Sequence, residues 1–310
     1  QSFSPNIKMG VIDDEANRAK LCKLLRFHTN KSDGKMISLD TYVEGMKEWQ
    51  KEIFVLGGTS IEEIEASPFL EIAAEKDVEV LFLTDAVDEY MVKQVLDYKD
   101  NKFVHLSSEG VKFKDESSDL MMRREKVYKK KFAPLITWMR KLFQGSVLRV
   151  QVAKRGLGSI PAIVSSSDFG NSANMERILR AQAFQAGVNE MGFMAMKVFE
   201  INPRHPLILK LLEGCPPEGD DEVSKDTIEA AWMIHDMALL NGGFPIHDPN
   251  AHNQRLLQVL QSRYKLESLA LEPEIDPPEE DEEPPEADMD LGGLNMEDFA
   301  ENIDLADLEL

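Results

Sequence analysis

The sequence has 310 residues, which is long enough for two domains that each bury a core, and its 43% apolar content is ordinary for a globular protein. The formal net charge of −21 comes mostly from residues 272–310, which hold 17 Asp and Glu and no Lys or Arg. The rest of the chain, with 35 basic and 39 acidic side chains, is near neutral. That body gives no electrostatic reason to expect nucleic acid as a partner, and no apolar run is long enough to span a membrane.

Predicted helices and strands alternate up to about residue 106. Short apolar runs at 53–56, 78–83 and 103–106 have the length of strands. Helices are predicted around them, from Asp13 or Asp14 to about Phe27, from Ser38 to Trp49, from Pro68 to Ala74 and from Asp88 to about Leu96. This alternation predicts an α/β fold with a small parallel sheet covered on both faces.

A strongly helical segment follows at 119–144, with an interruption expected near Pro134. This segment carries a run of basic residues. Such a run suits either a nucleic-acid surface or the solvated face of a helix that links two domains. No aromatic ladder or nucleic-acid motif accompanies it, so a solvated linker is favoured. Its basic residues are Arg123, Arg124, Lys126, Lys129, Lys130 and Lys131.

The second part of the chain reads as α+β, with a smaller sheet. Val147 to Lys154 alternates apolar and polar residues, and Ile160 to Ser165 returns after an R-G-L-G turn, which predicts a hairpin. The other predicted elements are a helix capped by Ser172, a strand from Lys197 to Ile201 and a helix from Pro206 to about Leu212.

Two apolar-striped helices, at 225–240 and 247–266, end the folded body as a helical hairpin. Two copies could pair about a two-fold axis as a four-helix bundle, or the hairpin could pack on its own sheet, and the pattern does not separate these alternatives. The stripes consist of Ile228, Ala231, Trp232, His235, Ala238 and Leu239 on the first helix and of Leu256, Val259, Leu260 and Tyr264 on the second.

Catalytic and metal-binding motifs are absent from the sequence. The glycines at 155–158 are typical of a turn rather than a phosphate cradle. His247 and His252 lack a third ligand for a metal, and Cys22 and Cys215 match neither a disulfide framework nor a zinc site.

An enzyme remains the alternative to a binding module. Its site would lie at the strand ends of the first α/β domain, where Asp85, Asp88 and Glu89 follow a predicted strand. Acidic residues in this position suit the N-terminus of a helix better, so the enzyme is the less favoured hypothesis.

The segment from Met191 to Met196 (M-G-F-M-A-M) lies between a helix and a strand, where loops are usually polar. Methionines here suit either an adaptable binding surface or the filling of the domain core. The residues alone favour the core.

Four strings in one order resemble the Hsp90 chaperone family: N-I-K-M-G-V-I-D-D at 6–14, K-L-L-R-F at 23–27, S-A-N-M-E-R-I at 172–178 and E-I-N-P-R-H-P at 200–206. The similarity covers roughly residues 3–266. The strings at 31–43 and 82–90 most resemble the endoplasmic-reticulum branch of the family. That branch implies location in the endoplasmic-reticulum lumen, with the cytoplasm as the alternative.

The resemblance implies three regions: the end of a middle domain at 1–132, a C-terminal dimerisation domain at 133–271 and a disordered acidic tail at 272–310. The family's ATP- and Mg²⁺-binding domain would lie upstream of Gln1, so this chain is expected to be a fragment, not an enzyme, and to hold no cofactor or metal. Expected partners are a second copy, client proteins and co-chaperones. The tail carboxylates are candidates for weak calcium binding, and residues 291–310 for a docking helix.

For the helical hairpin, the resemblance implies an intermolecular four-helix bundle. For the methionine-rich segment, it implies a binding role, as part of a client surface at 172–196 in the cleft between protomers. Asn171 stands where the family usually carries Trp, so Phe169 or Phe193 would supply the aromatic contact. The expected interface residues are Ile228, Ala231, Trp232, His235, Leu239, Leu256, Leu260 and Tyr264. The expected client contacts are Phe169, Met175, Leu179, Met191, Phe193, Met194 and Met196.

Overall fold

The computed structural model describes residues 3–113, 119–167, 170–186, 196–215, 223–272 and 274. Residues up to Leu260 form one compact unit, and those from Gln261 onward form a second. The described part of the second unit is almost entirely exposed. The division into three regions at 132 and 271 stays a prediction.

A four-stranded sheet organises the first part of the compact unit. Its order is β2-β1-β4-β3, with β2, β1 and β4 parallel and β3 antiparallel at the edge. The predicted parallel sheet is therefore confirmed, with β3 added. The strands are β1 (Glu52–Gly57), β2 (Leu81–Leu83), β3 (Asp97–Tyr98) and β4 (Asn101–His105). The helices are α1 (Ser4–Asp13), α2 (Arg18–Cys22), α3 (Leu39–Gly45), α4 (Ile61–Glu65), α5 (Pro68–Glu75) and α6 (Ala86–Gln94).

Alternation along β1 explains why this sheet is covered on both faces. Ile53 and Val55 belong to one apolar cluster, with side chains of α1, α3 and α6, whereas Phe54 and Leu56 belong to another, with α4 and α5. Each face of the strand is thus apolar, as expected of a central parallel strand.

A three-stranded sheet organises the rest, in the order β5-β7-β6. The strands are β5 (Arg149–Val152), β6 (Ala162–Ser166) and β7 (Lys197–Ile201). The helices are α7 (Asp119–Leu142), α8 (Ala173–Ala186), α9 (Pro206–Glu213), α10 (Lys225–Asn241) and α11 (Pro249–Tyr264).

The predicted hairpin of β5 and β6 is wrong, because β7 lies between them. β7 pairs parallel with β5 and antiparallel with β6. Every residue of β7 is buried, as expected of a central strand, although every residue of the edge strand β6 is buried as well. Sequence alternation identified both outer strands but contained no information on which strand each would pair with.

Three helix predictions also need correction. The helix predicted from Ser38 to Trp49 ends at Gly45. No helix starts at Asp13 or Asp14: Asp13 ends α1, Asp14 accepts a hydrogen bond from the Asn17 N–H (3.0 Å), and the chain becomes helical again only over α2. The helix at 119–144 is not interrupted, since α7 continues through Pro134. A proline removes its own N–H bond and crowds the preceding turn, but buried neighbours such as Phe132 and Leu135 hold the helix against the core.

The two predicted serine caps are confirmed. Ser38 Oγ accepts from the Thr41 N–H (3.1 Å) at the start of α3, and Ser172 Oγ accepts from the Met175 N–H (3.0 Å) at the start of α8. Pro68 begins α5 as expected.

Candidate functional site

The predicted dimer stripe divides between two environments. On α10, Ala231, His235 and Leu239 are buried in the core of their own unit, against the three-stranded sheet. Ile228 and Trp232 are half-buried. For α10, packing on its own sheet therefore occupies much of the stripe.

The second helix of the hairpin is different, because α11 has no buried residue. Its large apolar side chains are exposed: Leu256 by 39%, Leu257 by 49%, Val259 by 47% and Leu260 by 49%. Tyr264, in the second unit, is exposed as well. The described part of the chain leaves this apolar face of α11 uncovered, which is unusual for adjacent large aliphatic residues.

A buried carboxylate of α10 holds α11 in place. Asp236 accepts hydrogen bonds from Arg255 and from His252 Nδ1 (2.9 Å), and its other oxygen lies 3.3 Å from His235 Nδ1. The Arg255 guanidinium also lies over the Trp232 ring, 5.9 Å from its centroid. Burial opposes ionisation of Asp236, but the hydrogen bonds from His235, Arg255 and His252 outweigh it and lower the pKa of Asp236 to about 2.

This depressed pKa predicts acid sensitivity. A carboxylate whose pKa is lower in the folded than in the unfolded state stabilises the fold above its unfolded pKa of 3.8, and the stabilisation disappears as the pH falls through about 2. We expect the difference in unfolding free energy between the wild type and Asp236→Asn to shrink by about 2 kcal/mol between pH 5 and pH 2. Denaturant unfolding across that range measures it. Asp226→Asn, at an exposed position of the same helix, is the control; an equal pH dependence in both variants would contradict the assignment.

Ionisable residues meet at the carboxyl ends of β1 and β4. Ligands of open α/β sheets bind in the crevice at the point where the order of the strands reverses. In this sheet the chain runs from β1 to β2 on one side of β1 and then to β3 and β4 on the other, so this point lies between β1 and β4. Here Glu89 Oε1 of α6 lies 3.6 Å from His105 Nε2, and His105 Nδ1 lies 2.7 Å from Ser107 Oγ. The three groups converge where the enzyme hypothesis places a site.

The N-terminus of α8 fills this crevice. Ser172 Oγ and Asn174 Nδ2 donate to Glu89 Oε1, at 2.9 and 3.2 Å. Burial disfavours the charge on Glu89, but the nearby His105 and then the bonds from Ser172 and Asn174 outweigh it, so the pKa of Glu89 lies below its ordinary value. The cavity that remains beside them is about 240 Å³, smaller than usual ligand pockets of about 300–1,000 Å³. This arrangement suits a junction between the two sheets better than a substrate site.

The other two acids of the enzyme hypothesis have structural partners. Asp85 and Asp88 form the capping box of α6, in agreement with the prediction that these acids lie at a helix N-terminus. They also bind buried Lys8 of α1, whose Nζ lies 2.6 Å from Asp85 Oδ2 and 2.7 Å from Asp88 Oδ1. Burial raises the pKa of Asp88 to about 6, against the opposing effect of Lys8. Sequence reasoning missed Lys8, because a lysine on a short helix is usually solvated.

The predicted client residues are only partly described. Met175 is buried (3% exposed), Leu179 is half-buried and Met196 is 37% exposed. Phe169, Met191, Phe193 and Met194 lie outside the described residues, as does the acidic tail from 275 onward.

The two histidines considered as metal ligands have separate surroundings. His252 binds Asp236, whereas His247 Nε2 lies 3.4 Å from Lys197 Nζ. Burial and the Lys197 charge lower the pKa of His247 to about 4. No group of three or more His, Cys, Asp or Glu in the described ranges is arranged to hold a metal ion. No helix in the described part of the chain is long and apolar enough to cross a membrane.

Comparison with known proteins covers nearly the whole chain. The family model described as Hsp90 protein matches residues 1–290. Relatives named endoplasmin homolog are 40% identical over 95% of this chain in Arabidopsis thaliana, 39% over 90% in Catharanthus roseus and 38% over 90% in Hordeum vulgare. The chain spans about a third of their length, namely 35%, 33% and 33%. With the family model matching well over half of its residues, the chain belongs to the Hsp90 family.

Proposed function

We propose that this chain is the part of an Hsp90-type chaperone that dimerises and binds client proteins. The observation that carries the proposal is the uncovered apolar face of α11, in a chain whose family membership is established. Pairing with a second copy would bury that face, since a two-fold axis brings the same surface of both copies together.

The bundle that we propose contains α10 and α11 of both protomers. Asp236 and Arg255 fix α11 against α10, so the two helices present one preformed surface. Half-buried Ile228 and Trp232 border that surface on α10. Antiparallel helices of this kind pack as four-helix bundles, with the apolar stripes inside.

Client binding is proposed for the surface that follows Ser172, with Leu179 and Met196 as its accessible described residues. A dimer would place two such surfaces in one cleft. Nucleotide binding and hydrolysis are assigned, in this proposal, to the part of the relatives that this chain does not span. The names of the relatives support location in the endoplasmic-reticulum lumen.

Sedimentation of the 310-residue chain at micromolar concentration tests the dimer. We expect the wild type to be dimeric and Leu256→Asp/Leu260→Asp to raise the dimer dissociation constant by more than about 100-fold, because each buried leucine contributes roughly 1.5–3 kcal/mol. The monomeric variant should also suppress aggregation of a denatured client less well per chain, as measured by light scattering.

Asn250→Asp/Gln254→Asp is the matched control, since it adds the same two charges at the same spacing at exposed polar positions of α11. It should remain dimeric. A monomeric wild type, or a leucine variant that sediments as a dimer, would refute dimerisation through α11. Failure of the dimeric wild type to suppress aggregation would refute client binding alone.

A further inference from the structure

A cavity of about 600 Å³ opens between α7, the loop after β5 and the corner between β7 and α9. Each of these elements contributes a cation to its wall: Arg124 from α7, Lys154 from the loop and Arg204 from the corner. Lys76, at the end of α5, also lines it. The cavity is of the size that holds small-molecule ligands.

The described carboxylates do not neutralise three of the cations that line this cavity. Arg124, Lys154 and Arg204 form no ion pair with a carboxylate in the part of the chain that the structure describes. The acid in the wall, Glu125, is paired with Lys129 at 2.7 Å. The hydrogen bond from Lys129, and then the charges of Lys129, Lys112 and Lys154, lower the pKa of Glu125 below its ordinary value, as a positive surrounding should.

The wall of the cavity is held in shape before any ligand binds. The Asn202 side-chain amide donates to the carbonyl oxygens of Gly158 (3.1 Å) and Ile160 (2.9 Å), which fixes the loop after β5. Gly158 has a φ of +53°, and the space around its α-carbon is open. Tyr128, packed against Phe132, forms the opposite side. A rigid wall reduces the entropy that binding costs.

We propose that this cavity binds a small soluble anion that carries several phosphate groups. Cations from separate elements converge on one space, and phosphate oxygens accept hydrogen bonds from Arg and Lys with particular strength. A single carboxylate would neutralise only one of them. The proposal also separates the basic run of α7 into two sets, because Arg124 lines the cavity whereas Lys126 and Lys130 do not.

Calorimetric titration of the 310-residue chain with inorganic tripolyphosphate at low ionic strength tests this inference. We expect saturable binding that weakens roughly tenfold for each cation removed in Lys154→Gln/Arg204→Gln, since a charged hydrogen bond contributes about that much affinity. The matched control Lys126→Gln/Lys130→Gln removes the same charge from exposed positions of α7 and should change the affinity less than about twofold. Thermal unfolding confirms that each variant is folded, and Arg124→Gln provides an independent third position.

Absence of tripolyphosphate binding by the wild type would overturn the proposal, as would equal losses in the cavity variant and the control. A phosphate on a lipid headgroup has the same chemistry, so sedimentation with phosphatidylcholine vesicles, with and without phosphatidylinositol bisphosphate, forms the second arm. Binding to the phosphoinositide vesicles without binding of soluble tripolyphosphate would refute the assignment to a small soluble anion.

Discussion

Replacing Arg155 by Met should lower the free energy of unfolding by about 3–5 kcal/mol, the cost of leaving one partner of a buried ion pair alone. Arg155 and Glu200 have side chains only 3% and 1% exposed, and Arg155 Nη2 lies 3.0 Å from Glu200 Oε2. The same guanidinium donates to Ser165 Oγ and to the carbonyl oxygens of Leu106 and Ser108. Those carbonyls follow β4 of the first sheet, so this arginine ties the two sheets together.

Denaturant unfolding of the single variant and of Arg155→Met/Glu200→Met measures this effect. The double variant should recover at least half of the lost stability, because two apolar side chains replace a pair whose desolvation was itself costly. A single variant within about 1 kcal/mol of the wild type would show that Glu200 finds another partner or becomes protonated.

Gly242→Ala should destabilise the protein by about 3 kcal/mol, the upper end of the usual cost of overpacking. A β-carbon at Gly242 would lie 2.2 Å from the carbonyl oxygen of Val164 in β6. Backbone on both sides of that contact cannot rotate away as a side chain could, so the end of α10 would have to move off the sheet. Since α10 carries Asp236, which holds α11, the variant should also dimerise less tightly if the proposed bundle is correct.

Gly45→Ala is the matched control for this substitution. Gly45 closes α3, and a β-carbon there would make only an ordinary contact of 3.6 Å with Glu79 Oε2. Alanine should be neutral or stabilise by up to about 1 kcal/mol, because it reduces the freedom of the unfolded chain. Thermal unfolding of both variants compares them directly, and equal destabilisation would contradict the steric argument.

Local patterns predicted most of the elements correctly. The apolar runs at 53–56 and 103–106 became β1 and β4, and Ser38 and Ser172 cap helices because a hydroxyl three residues before a free N–H satisfies it locally. These features depend on neighbours within one turn of the chain, which the sequence displays directly.

Long-range partners were not predictable in the same way. Arg155 was interpreted as part of a turn, yet its partners Glu200 and Leu106 are 45 and 49 residues away. The insertion of β7 between β5 and β6 has the same origin, since β7 pairs with two strands that are distant from it in the sequence. The pattern of alternating residues is compatible with either arrangement.

The candidate dimer surface is a second feature whose packing partner could not be predicted from the local sequence pattern. The stripes of α10 and α11 look alike in sequence, but α10 turns much of its stripe to the sheet while α11 leaves its own exposed. Amphipathicity indicates that a helix face will be covered; it does not identify what covers it.

The junction at Glu89 also has a mechanical consequence. Because Ser172 and Asn174 are both hydrogen-bonded to Glu89 of α6, the start of α8 is fastened to the first sheet rather than joined to it through a loose connection. Tension applied along α8 from the side of Ala186 is therefore transmitted to α6 and the strands beneath it. For the two sheets to separate at this point, both hydrogen bonds would have to break and expose the Glu89 carboxylate to water, so the junction at Glu89 opposes that motion.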